Sequence, residues 1–137
     1  MRKLLIASVL LGAVSLAHAD IEIRKNGSSW ASIEANGTIR IHGSSVGSFD
    51  KDGTVRKSGS SIGAVEADGT IRKSGSSIGA VEANGTVRKS GSSVGAIEDN
   101  GTIRKNGSSW GSASNCCSSA HDRQAVAAVL VFFGEFF

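Results

Sequence analysis

The chain has 137 residues, with 15 Lys and Arg against 12 Asp and Glu, 18 glycines, two cysteines, and neither proline nor tyrosine. That length holds one domain, and the small excess of positive charge gives no ground for a nucleic-acid partner.

The first element is a targeting segment. Residues 1–19 read MRKLLIASVLLGAVSLAHA, a charged start at Arg2 and Lys3 followed by an apolar stretch from Leu4 to Leu16. Ala17-His18-Ala19 forms a small-x-small cleavage site before Asp20, so a secretory signal peptide is expected. The apolar core is shorter than the roughly 20 residues of a membrane-spanning helix. Cleavage leaves 137 − 19 = 118 residues, with 15 − 2 = 13 basic against 12 acidic side chains. The expected location is periplasmic or extracellular, with membrane association as a further expectation. Such compartments are oxidising, so Cys116 and Cys117 are candidates for oxidation.

Residues 21–115 are a repeat. Glycine recurs at 27, 43, 59, 75, 91 and 107, sixteen residues apart, and two further glycine series run in phase with it. Six copies result, beginning at residues 21, 37, 53, 69, 85 and 101. Three apolar positions keep the same phase, represented in one copy by Ile71, Ile78 and Val81. A disordered linker has no reason to hold that phase. The apolar residues are mostly β-branched or aromatic, which suits a pleated surface. Each copy carries two glycine turns, one Asn-Gly or Asp-Gly and one Asn-Gly, His-Gly or Ser-Gly, and both are hairpin chemistry. A two-residue turn at Ser74-Gly75 sets Ile71 opposite Ile78. A three-residue loop over 67–69 sets Val65 opposite Ile71. Ile78 and Val81 are three apart, so a bulge or kink near Gly79 is needed to bring both to one face. Such units turn steadily in one direction. The expectation is an all-β domain over 20–137, a shallow barrel or ring of hairpins. The alternative is a two-strand β-solenoid capped by the helix.

The last element is a helix at about 120–133. Ser119 with Asp122 has capping-box spacing. Ala125 to Phe133 reads AVAAVLVFF, apolar on every side, so the helix should be buried all round and fill the ring. The terminal GEFF also matches the close of an outer-membrane barrel. No segment shows the roughly ten-residue lipid-facing strands such barrels need.

This wording resembles the bacterial β-flower domains. They are Gly-rich repeats of the type seen here in DGTVRKSGSSIG, followed by an apolar helix such as RQAVAAVLVFF. The match covers about residues 21–133. The resemblance implies a shallow barrel of hairpin petals around the helix, similar in shape to Tubby C-terminal domains and phospholipid scramblases. The family's form has four petals and this chain has six copies. Tubby-like domains bind phosphoinositides, and no lipid-binding motif of theirs carries over to residues of this chain.

For chemistry, the leading candidate is a ring of Arg24, Arg40, Arg56, Arg72, Arg88 and Arg104, one per copy, able to face anionic lipid head groups or glycans. Recurring carboxylates at Glu34, Asp50, Glu66, Glu82 and Glu98 would neutralise it. Trp30 and Trp110 hold one repeat position in the first and last copies, so they either pack at the seam of a closed ring or offer a stacking platform. Cys116 and Cys117 could be buried thiols, a vicinal disulfide or an intermolecular bond. With His121 they lack the ligand count and spacing of a metal site. Serine appears as GSS in every copy, and only His42 and His121 follow residue 19. No nucleophile-base pair stands out. The expected function is therefore an exported, non-catalytic binding domain without cofactor or metal, associating with anionic lipids or a membrane surface. A structural or self-assembling role and a membrane-perturbing role of the helix are the alternatives.

Overall fold

The computed structural model describes residues 20–134 and 136. The expected signal peptide, Glu135 and Phe137 lie outside them. Six antiparallel hairpins follow one another along the chain. They are β1 (Ile21–Lys25) with β2 (Ser28–Ile33), β3 (Thr38–Ile41) with β4 (Ser44–Phe49), and β5 (Thr54–Lys57) with β6 (Ser60–Val65). The others are β7 (Thr70–Lys73) with β8 (Ser76–Val81), β9 (Thr86–Lys89) with β10 (Ser92–Ile97), and β11 (Thr102–Lys105) with β12 (Ser108–Ser114). Each strand pairs with its sequence neighbours, and β1 pairs with β12 through Ile23 opposite Ala113, closing a twelve-stranded barrel. Closure excludes the solenoid.

The two glycine turns of each copy build opposite ends of the barrel. At one end, which we call the turn end, Ser74 and Gly75 have φ of 52° and 84°, and the other copies repeat those values. Positive φ at both central residues is the hairpin turn whose twist matches the strands. Serine holds this place in copies three to five and asparagine in copies one and six. A left-handed backbone suits asparagine better. The triple variant S58N/S74N/S90N is thus expected to gain about 0.5 kcal/mol per site, read as a higher urea midpoint at unchanged slope.

At the other end, the loop end, Gly69 donates to the Glu66 carbonyl at 2.8 Å, and the Asp68 carboxylate accepts the Thr70 N–H at 2.9 Å. That bond, and its counterpart from Thr54, holds the carboxyls of Asp68 and Asp52 below their ordinary value of 3.8. A carboxyl depressed in the folded state adds stability at neutral pH, and the contribution is lost as pH falls through the depressed value. Asn36, Asn84 and Asn100 accept the same bond without a charge. D52N/D68N should therefore keep the loops and lose less stability between pH 7 and pH 3 than the parent. Equal losses in urea melts at the two pH values would exclude this linkage.

The register agrees with the sequence at the loop end, where Val65 stands opposite Ile71. It differs at the turn end. Ile71 stands opposite Gly79, not Ile78, and Ile78 is the extra residue of a bulge between the Arg72–Ser77 and Ile71–Gly79 pairs. The bulge lets Ile78 and Gly79 share the inward face with Ile71. A glycine beside the bulge is required first by the next strand, since a Cβ on Gly63 would stand 2.4 Å from the Arg72 carbonyl oxygen, and then by what fills the barrel. The same Cβ would stand 2.6 Å from the Phe132 ring.

The filling is the helix α1 (Ala120–Phe133). Ser119 caps it by accepting the Asp122 N–H at 3.1 Å, which satisfies a first-turn donor that has no partner within the helix. Val126, Val129 and Leu130 are fully buried, as are Ile23, Ile39, Val55, Ile71, Val87 and Ile103 on the strands around them. Arg123 and Gln124 tie the helix start to the loop end. Arg123 donates to the carbonyls of Ala83 at 2.7 Å and Cys117 at 2.8 Å and to the Asp99 carboxylate at 3.2 Å; Gln124 donates to the Ala67 carbonyl at 3.2 Å.

Candidate functional site

The arginine of each copy precedes the last residue of its first strand and points outward. Arg40, Arg56, Arg72 and Arg104 donate through Nε to Glu34, Asp50, Glu66 and Glu98 at 2.6, 2.9, 2.7 and 2.8 Å, and Arg88 pairs likewise with Glu82. Each pair joins one hairpin to the next. Both partners stay between 30% and 44% exposed, so each contributes at most about 1 kcal/mol. Arg24 differs because it lies at the seam. It stands opposite Ser112, and the place of the acid belongs to Ser114. Its Nη1 donates to the Gly27 carbonyl at 3.4 Å. The outer wall is thus a belt of mutual neutralisation. Its charged pairs, and strands of four to seven residues, do not suit a lipid-facing wall, which needs apolar strands of about 9–11 residues.

Charge is instead sorted between the two ends. The residue after each arginine closes the strand at the turn end: Lys25, Lys57, Lys73, Lys89 and Lys105, with Ile41 in the second copy. All of these lysines but the half-buried Lys105 are exposed. Among the described residues, every carboxylate lies in the loop half: the acids of the belt, Asp20 and Glu22 at the start of β1, Asp52, Asp68 and Asp99 in the loops, and Asp122 in the first helical turn. Strand alternation turns the lysines toward the mouth rather than the wall.

Inside the lysine rim the bulged residues form a second ring. Trp30, Val46, Ile62, Ile78, Val94 and Trp110 are half-buried, packed on the core below and open above. The helix ends among them, where Val131, Phe132 and Phe133 are also half-buried. Ring closure brings Trp30 and Trp110 edge to face at 5.8 Å, and Phe136 packs on Trp110 at 5.8 Å. Lys25 Nζ lies 5.5 Å from the Trp110 ring and Lys105 Nζ 5.6 Å from the Phe136 ring, within reach of cation–π attraction. The turn end is therefore a half-exposed apolar and aromatic plug inside a basic rim.

The remaining sequence candidates lie elsewhere. Cys116 and Cys117 are joined to each other by a disulfide in the segment between β12 and α1, with Cys117 fully buried. His42 occupies a turn with φ of 50°. His121 lies at the loop end, 5.5 Å from the Phe49 ring. Among the described residues no three His, Cys, Asp or Glu side chains gather as a metal site. Compared with protein-family models, curated proteins and solved structures, the chain has no significant match.

Proposed function

We propose that the chain is an exported, non-catalytic domain of the β-flower type that docks to anionic membrane surfaces through its turn end. One observation carries this reading: the half-exposed plug of Trp, Ile, Val and Phe residues is encircled by lysines, while the described carboxylates sit in the opposite half. Tryptophans suit the interfacial layer of a bilayer, where an apolar ring and a polar N–H both find partners. Lysines near an anionic leaflet add about 1 kcal/mol each. Anion binding is thereby assigned chiefly to the lysine rim, with the arginine belt serving cohesion.

Flotation with vesicles tests the reading. The protein should float with vesicles of phosphatidylserine mixed with phosphatidylcholine at low salt, and float far less with pure phosphatidylcholine or in 0.5 M NaCl. Absence of binding, together with oligomers insensitive to salt, would instead favour the structural reading. A membrane-perturbing role would require α1 to leave the barrel. That would expose its fully buried Val126, Val129 and Leu130, and as a 14-residue helix it spans only about 21 Å of a core about 30 Å thick.

A further inference from the structure

The second copy departs from the others at the loop end as well as at Ile41 and His42. It has Phe49 where the others have Ile33, Val65, Val81, Ile97 and Ala113, and Lys51 where they have Ala, Asp or Asn. Both residues line a cavity of about 500 Å³ at the loop end, between the start of α1 and the first two copies. The cavity has a structural cause. Arg123 and Gln124 tie the helix to the loops of Ala83 and Ala67, on the far side of the ring. The near side is left unfilled, even with the largest apolar residue of that row placed there. Its volume falls within the roughly 300–1,000 Å³ of small-molecule sites.

The lining is apolar on one side and polar on the other. Ile21, Ile33, Phe49 and Ala125 are buried and form the apolar part, with His121 against the Phe49 ring. Asn36, Asn115, Ser119 and three charged side chains make the polar part. Glu34 is held by Arg40 at 2.6 Å. Asp122 lies in the first turn of α1, where the helix dipole offsets its charge. Lys51 is exposed and is the charge that this copy adds. We propose that this cavity binds a small amphipathic monocarboxylate, its apolar body on Phe49 and Ile33 and its carboxylate at the Lys51 ammonium. The site lies at the opposite end from the proposed membrane surface and does not depend on it.

Isothermal titration of the purified protein with decanoate and with 2-naphthoate tests the assignment, with decyltrimethylammonium as the cationic counterpart. One saturable site is expected for at least one carboxylate. Lys51→Glu should weaken it about tenfold or more, the loss of a charge-assisted contact. Ala35→Trp, at an exposed loop position on the rim, should weaken it as well. Lys73→Glu at the other end should leave it unchanged. Circular dichroism melts establish that each variant is folded; should Ala35→Trp not be, Lys51→Glu decides alone. Absence of saturable binding by both carboxylates, affinity indifferent to Lys51→Glu, or equal affinity for the cationic counterpart would each overturn the proposal.

Discussion

A chain ending at Ser119 is expected not to fold. The inward rows of the barrel contribute at least one fully buried Ile or Val per hairpin, and these form one core with α1. Burying such a side chain yields about 1.5–3 kcal/mol. Deleting the helix removes Val126, Val129 and Leu130 and also exposes the strand residues that covered them. Even a few residues from each side exceed the roughly 5–15 kcal/mol by which domains are stable. The truncated chain should show no cooperative melt and should aggregate. Leu130→Ala is the graded form of the same test. It should cost about 2–5 kcal/mol through lost burial and a new cavity. That corresponds to a fall in Tm of roughly 10 °C or more. A folded, soluble truncation with a cooperative transition would show that the barrel does not need its plug.

The second large effect concerns the turn end. Replacing Lys57, Lys73 and Lys89 by glutamate should abolish flotation with anionic vesicles. At about 1 kcal/mol per lysine, neutralising three costs more than a hundredfold in partitioning, and reversal costs more. The sites are exposed, so stability should change little. Arg56→Gln and Arg72→Gln provide the contrast. They break ion pairs of the outer belt and should leave vesicle binding within a few-fold. Equal losses from both sets would place the lipid contact on the wall and overturn the assignment to the lysine rim.

Much of the architecture was legible because the repeat is a register code. The phase of Val65, Ile71 and Val81 specified the loop-end pairing and the inward face, and an all-apolar helix needed somewhere to go. A bulge near Gly79 was legible from the three-residue spacing of Ile78 and Val81, but not that Ile78 is the residue left out of the pairing. Pairing Ile71 with Ile78 satisfies the rule of apolar beside apolar. Why a glycine follows the bulge appears only in three dimensions, where a Cβ on Gly63 would meet the Arg72 carbonyl oxygen of the next strand at 2.4 Å and the Phe132 ring at 2.6 Å. The candidate site was legible in part. The lysines lie beside the arginines in the sequence, and only strand alternation separates a neutralised outer belt from a basic inner rim. The cavity had a signal too, since Phe49 and Lys51 break an otherwise near-verbatim phrase. Its emptiness could not be read, because it arises from the lean of the helix toward Ala67 and Ala83.

The seam between β1 and β12 bears on what happens when the chain makes mistakes. An unclosed row of these hairpins has two complementary edges, and the first edge of one molecule fits the last edge of another as well as its own. Near-identical internal copies add a second hazard, since a strand can dock one copy out of place and still satisfy its hydrogen bonds. The two tryptophans occur only in the terminal copies, and their edge-to-face contact forms only when those copies meet. They mark the ends of the row as ends. Replacing them with the valine or isoleucine of the inner copies would erase that mark, and the same chain would be free to grow as swapped dimers and open filaments.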